Sequence, residues 1–284
     1  MNLTQHCLTC LHNQACKTLA LFDMECKVDF IPTSTTTTTL ACPPPKLAIE
    51  IYKQIAQRIH NQDPYAKIKK QSIITARQIL SSIPFVNDLE WGVKMAVLGN
   101  VIDYGSQKPF DIHTFGAKSC EFDIDMIDFG VFDFETFKER LGQAKKLVYI
   151  GDNAGENEFD EVLIRVIKHF YPHLTITYFT RGKPIINDIT LDDLAQTDSK
   201  LFTICEVLDS GVESPGFLYD LANTQARKSY DEADLILAKG MGNFECLEDK
   251  KDERLFLLFK IKCQVVADFL GEAEGKFMFL HNSP

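Results

Sequence analysis

Four apolar runs in the second half of the chain each end in residues that could meet a ligand. LVYIGDNAG ends in Asp152, Asn153, Gly155 and Glu156, and LTITYFTRG in Arg181, Gly182 and Lys183, with Asn187 and Asp188 just beyond. LFTICEVLDSG ends in Asp209, Ser210 and Gly211, and ADLILAKGMGN in Lys239, Gly240, Gly242 and Asn243. Asp152 and Asn153 are adjacent and offer hard oxygen ligands, the kind that Mg²⁺ and Mn²⁺ prefer. Asp188 can add a third oxygen, which leaves coordination positions for water and a phosphate oxygen, as metal-assisted phosphoester hydrolysis requires. The same Asp-Asn pair would equally serve to cap a following helix. A phosphate beside acidic oxygens also needs positive charge, and Lys239 at its strand end could supply it, although a solvated surface lysine would sit there equally well. Glycines at 240 and 242, flanking Met241, would let backbone approach a phosphate closely; an ordinary strand-to-helix turn would use them too.

These residues need strands to carry them. From Lys146 onward, β-branched apolar runs alternate with helical stretches such as EFDEVLIRVIKHF, and KFMFLH is a candidate fifth strand. That alternation predicts right-handed crossovers and a mostly parallel sheet, with ligands outside the carboxyl ends of the strands. The expected fold is a three-layer α/β/α, Rossmann-like arrangement over residues 141–284, preceded by a mainly helical region over 1–140. Within the latter, residues 1–30, Lys46 to Ser82 and Trp91 to Ile102 have helical apolar spacing, and short helices are expected up to Arg140. Residues 33–45, rich in Thr and Pro, read as a flexible loop. Asn100 and Asp103 fall about one helical turn apart on one face, although Asp103 also suits a helix cap.

The bulk numbers narrow the function classes. With 45% apolar and 25% charged residues over 284 positions, the chain can bury a sizeable core. Its net charge of −10, without a dense basic run, argues against nucleic acid as a partner. No stretch has the apolar length of a membrane span, and the first twenty residues lack the apolar core of a signal peptide. Nine scattered cysteines, read with that, suggest reduced thiols in a cytoplasmic protein. Cys7-x-x-Cys10 is open to a metal, redox or packing role, with His6, His12, Cys16, Cys26 and Cys263 as loose companions. The sequence leaves the oligomeric state open.

GDNAG lacks the full dinucleotide fingerprint, and its acidic centre would repel a pyrophosphate. An S-adenosylmethionine-dependent methyltransferase, or a protein that binds a metabolite without turning it over, remains compatible with these strand ends. The ordered set LGNVIDYGS, YIGDNAGENEFDEVLI, RGKPIINDITLDDL, LAKGMGNFECL and LFKIKCQVVADFLG resembles the damage-control phosphatase (ARMT-like) family. The likeness runs from the N-terminal CLTC to the last helix, and DNAG, NDIT and KGMGN in that order are its most specific parts.

The resemblance implies a phosphatase of sugar phosphates and related small phosphorylated metabolites that uses a divalent cation such as Mn²⁺, Co²⁺, Ni²⁺ or Mg²⁺. A carboxyl-methyltransferase activity has also been proposed within that family. Carried over by position, Asp152, Asn153 and Asp188 would hold the metal, and the loop Lys239, Gly240, Met241, Gly242, Asn243 and Phe244 would contact substrate. Lys262 would face the phosphate; Phe259-Lys260-Ile261-Lys262 stands where the eukaryotic branch has Arg-Thr-x-Lys, so only the final Lys matches. The CxxC and the late Lys-Cys look like the smaller prokaryotic branch. Glu156 could steer a water, or merely favour the start of its helix. Asn100 and Asp103 would lie nearby.

Overall fold

The computed structural model describes residues 1–26, 41–100, 124 and 127–283. The Thr run and Asp103 lie outside these residues. Seven strands, β1 (Phe129–Phe132), β2 (Lys146–Ile150), β3 (Thr175–Thr180), β4 (Glu206–Asp209), β5 (Leu235–Lys239), β6 (Leu255–Lys260) and β7 (Phe277–His281), form one sheet in the order β1-β7-β6-β5-β2-β3-β4. β6, β5, β2, β3 and β4 are mutually parallel; β7 runs antiparallel to β6, and β1 lies parallel to β7. The anticipated mostly parallel α/β sheet is therefore present.

Period-two alternation divides the core into two layers. Leu147, Tyr149, Tyr178, Leu235, Leu237 and Phe256 face one side. There they pack against α3 (Ala66–Ser81), α4 (Leu89–Leu98), α5 (Phe134–Gln143) and α6 (Glu156–Phe170). Val148, Ile150, Phe179, Ile236, Ala238 and Leu257 face the other side. Their partners are α9 (Thr224–Asp231), α10 (Met241–Leu247) and α11 (Gln264–Leu270). Two short helices, α7 (Leu191–Gln196) and α8 (Leu201–Ile204), lie between β3 and β4. A third cluster joins α1 (Gln5–Ala20) to α2 (Pro44–Ile59) and includes Ile185 from the loop after β3. This helix pair thus reaches the strand ends where ligands are expected.

Four elements differ from the sequence reading. Pro44 and Pro45 belong to no loop: they occupy the first turn of α2, where a missing N–H costs nothing. The helical stretch from 46 to 82 is broken at His60, which adopts the left-handed conformation and closes α2. Phe129–Phe132, expected among short helices, is a strand because β7 offers it a parallel edge. LFTI forms α8 rather than the start of β4, and Leu255–Lys260, not recognised as a strand, supplies β6. Short apolar runs of this kind suit a buried helix or a buried strand equally.

Cys16 and Cys26 form a disulfide, contrary to the expectation of reduced thiols throughout. After α1 the chain turns through Asp23, at φ +55°, and the Met24 N–H donates back to the Leu19 carbonyl. This reversal brings the two Cα atoms to 5.1 Å. Among the described residues no helix is long and apolar enough to cross a membrane.

Candidate active site

β2, β3 and β5 are parallel neighbours, so the loops that follow them leave from one edge of the sheet. β3 lies on one side of β2 and β5 on the other, which makes the end of β2 the point where the chain changes direction and a crevice opens. The loops after β2 and β3 are stitched together there. Asn153 and Asp188 form an antiparallel bridge, the Ala154 N–H donates to the Asn187 carbonyl at 2.8 Å, and the Ile189 N–H donates to that of Asp152 at 2.8 Å. Backbone pairing, rather than side-chain attraction, thus gathers Asp152, Asn153 and Asp188. All three line one cavity of about 280 Å³, together with Met241, Gly242 and Lys262.

Two buried carboxylates side by side need compensation. Arg181, 2% exposed, donates from Nε to Asp188 Oδ2 at 2.7 Å, and its Nη2 lies 3.7 Å from Asp152 Oδ1. That Nη2 makes no hydrogen bond among the described residues. Even so, burial pushes the Asp152 carboxyl well above the usual range, and Glu156 and Asp188 add to the effect while Arg181 and Lys262 oppose it. Asp188 is pushed up to about 6, again chiefly by burial, with Arg181 opposing. Arg181 and Lys262 together thus leave the cluster short of positive charge, which a further cation would relieve.

The donor set fits a hard divalent cation. Asn153 Nδ2 is committed to Asp152 Oδ2 at 3.0 Å and to Glu156 Oε1 at 2.9 Å, which leaves its carbonyl oxygen available to a ligand. Two carboxylates and an amide oxygen are what Mg²⁺ or Mn²⁺ would take. Gly240, at φ +82°, shows how closely this site is built: a Cβ there would run into the Asp152 carboxylate.

Several predicted residues lie beneath the cavity rather than in it. Lys239 is fully buried, not at the sheet edge. The alternation of β5 puts it on the face of Leu235 and Leu237, under α4 and α6. Its ammonium donates to the Ala96 carbonyl and to Asp160 Oδ1, each at 2.8 Å, and pairs with Glu156 Oε2 at 3.4 Å. Burial works against that charge, but Asp160 and Glu156 outweigh it and hold the ammonium above the ordinary lysine value. The hydroxyls of Tyr149 and Tyr178 donate to the same Asp160, at 2.6 and 2.9 Å. Glu156, 1% exposed, accepts from Asn153 and from Asn100 Nδ2, so both of its oxygens are engaged. Asn243 is also fully buried; its amide binds the Phe217 N–H at 2.7 Å and the Lys239 carbonyl at 2.6 Å, tying loops rather than meeting solvent.

Lys262 is the exposed cation of the cavity, just past the end of β6. From α1, Cys7 and Cys10 both line the cavity, and Cys7 is also packed into the third cluster. Arg181 is the residue the sequence reading noted at a strand end but gave no role. Its place next to an Asn-Asp turn seven residues on was the available signal.

The model of the ARMT1-like damage-control phosphatase domain matches residues 3–278. The chain belongs to this family. A damage-control phosphatase of Pyrococcus horikoshii is 30% identical over 293 residues, covering 99% of each chain. A damage-control phosphatase of Archaeoglobus fulgidus is 34% identical over 248 residues, covering 81% of this chain and 79% of its own. The crystal structure of a DUF89 family protein from P. horikoshii superposes over the whole of both chains with a TM-score of 0.84 at 27% identity. Membership in the damage-control phosphatase family makes the chain a phosphatase, and its overall fold is that of the superposed structure.

Proposed function

We propose that this phosphatase hydrolyses phosphate monoesters of small metabolites, sugar phosphates among them, with a divalent cation of the Mg²⁺, Mn²⁺, Co²⁺ or Ni²⁺ kind held by Asp152, Asn153 and Asp188. The convergence of these three oxygen donors on one cavity, through the bridge between Asn153 and Asp188, carries the reading. When bound, such a cation would polarise the phosphoryl group and acidify a water molecule.

The chain's own residues do the rest. Arg181 holds Asp188 in place and offsets part of its charge. Glu156 orients the Asn153 amide, and Lys239 and Asn100 fix Glu156 from below. Lys262 offers its ammonium to the phosphate dianion from the mouth of the cavity, where it is free to follow substrate. Met241 and Gly242 also line the cavity, and Gly240, without a side chain, lets the Asp152 carboxylate lie against the backbone there. In this reading Lys239 and Asn243 position the site without touching substrate.

The test is hydrolysis of p-nitrophenyl phosphate, then of a panel of sugar phosphates, by metal-stripped protein before and after each cation is restored. Metal-restored turnover that is absent from Asp152→Ala supports the proposal. Turnover by Asp152→Ala equal to that of the unmodified chain would sink it.

A further inference from the structure

At the far end of α1 from Cys7, three metal-ligating side chains converge. His12 and Cys16 lie four residues apart on α1 and share a face. The His12 Nε2 lies 3.4 Å from Cys16 Sγ. The chain reversal after α1 returns Cys26 to the same place, so the imidazole nitrogen and both sulfurs lie within 4.8 Å of one another. All three residues are half-buried, accessible to small solutes yet partly shielded from water.

While Cys16 and Cys26 are joined, neither sulfur is a thiolate, and the cluster lacks the charge that a metal needs. We propose that reduction of this disulfide converts the cluster into a His-Cys-Cys site for a thiophilic divalent cation of the Zn²⁺ class. Two molecules of a low-molecular-weight thiol supply two electrons and two protons and leave as their own disulfide, so Cys16 and Cys26 become thiols. Metal binding then displaces both thiol protons to solvent. Tetrahedral zinc, with Zn–S bonds of about 2.3 Å, needs its two sulfurs about 3.7 Å apart. Cα atoms 5.1 Å apart allow this by side-chain rotation alone. Three protein ligands leave a fourth position for water or an added ligand. Soft sulfur donors distinguish this site from the oxygen donors Asp152, Asn153 and Asp188, so the two would select different cations. The site is thus available only under reducing conditions.

The probe is Co²⁺, added to the full-length Asp152→Ala chain so that the oxygen site does not contribute. A trialkylphosphine reduces the disulfide; it takes oxygen from water to become the phosphine oxide, and both sulfurs gain protons. The expected result is thiolate-to-cobalt charge-transfer absorption that saturates at one ion per chain and is bleached by Zn²⁺. It is absent from oxidised protein and from Cys16→Ser and Cys26→Ser. His12→Ala weakens the affinity about 10-fold or more. Absorption that survives in Cys16→Ser would mean that other thiols, such as Cys7 and Cys10, bind the ion, and would overturn the proposal. So would its absence from a chain whose thiol count shows full reduction. Should the serine variants not fold, Zn²⁺ protection against alkylation is read on the unsubstituted reduced chain. Selective slowing at Cys16 and Cys26 supports the site, and equal labelling with and without Zn²⁺ overturns it. Phosphatase activity enters none of these readouts, so the fate of the metal-phosphatase reading is separate.

Discussion

The floor of the cavity and its rim use charge in opposite ways. On the floor, Asp152, Asp188, Arg181, Glu156, Lys239 and Asp160 are all buried, and each ion has a partner. At the rim, Lys262 is exposed. Lys239 and Lys262 are chemically the same side chain, yet one is fully buried among three partners and the other is exposed. Removing a partner from a buried pair leaves an uncompensated charge in low dielectric, whereas removing an exposed charge disturbs little of the fold. The floor should therefore be read by stability and metal content, and the rim by substrate kinetics.

Four experiments can break or sharpen this contrast. The largest effect is expected for Asp152→Ala, which should lower kcat/KM by about 10³-fold or more, as loss of a preorganised charge at the reacting centre does. If the proposed reading holds, equilibrium dialysis should show that binding of a divalent cation is lost in parallel. Lys239→Met, which strands Asp160 and Glu156, should cost about 3–5 kcal/mol in urea unfolding. If Lys239→Met unfolds like the parent chain but loses substrate affinity, the contrast fails and Lys239 belongs to the rim.

A third test uses Glu245, a buried residue that lines the same cavity. Burial pushes its carboxyl up to about 7 from an ordinary 4.5. Because the folded value is the higher one, the stability from its neutral form is complete below pH 4.5 and is lost as pH rises through about 7. Glu245→Gln should remove that dependence, flattening stability between pH 4.5 and 8 by about 3 kcal/mol at 1.36 kcal/mol per unit. An unchanged pH profile would show that the cavity wall is wetter than its burial implies. The smallest effect is expected at Lys262→Met: stability within about 0.5 kcal/mol of the parent chain and kcat/KM down about 10-fold, the scale of one charge-assisted hydrogen bond. A loss of several kcal/mol in that variant would place Lys262 with the floor.

Much of this architecture was legible in the residues because local signals agreed. The run LVYI, its glycine-bearing turn and the amphipathic EFDEVLIRVIKHF point to β2 and α6 independently, and both form where expected. The candidate ligands Asp152, Asn153 and Asp188 do meet at one cavity. What the residues did not disclose depends on pairing at a distance. Nothing within PIINDIT announces that its backbone bridges to Asn153, so the spacing of Arg181 and Asp188 was visible but not the fold that pairs them. Lys239 was within reach of the sequence: counting by twos from Leu235 and Leu237 puts it on their buried face. β1 was hidden because Phe129–Phe132 becomes a strand only when β7 arrives from the other end of the chain.

The contact between Gly240 and the Asp152 carboxylate also bears on how this chain can change over time. Position 240 is closed twice, by a backbone angle that side chains resist and by a carboxylate where a methyl group would have to go. No single amino-acid replacement escapes both constraints. Other side chains line the same cavity without this double constraint, among them Cys10 and Gln14 of α1, Ala48 of α2, Ile186 and Met241. The shape of the cavity can therefore change along those walls in this chain while position 240 cannot take a side chain without disturbing Asp152.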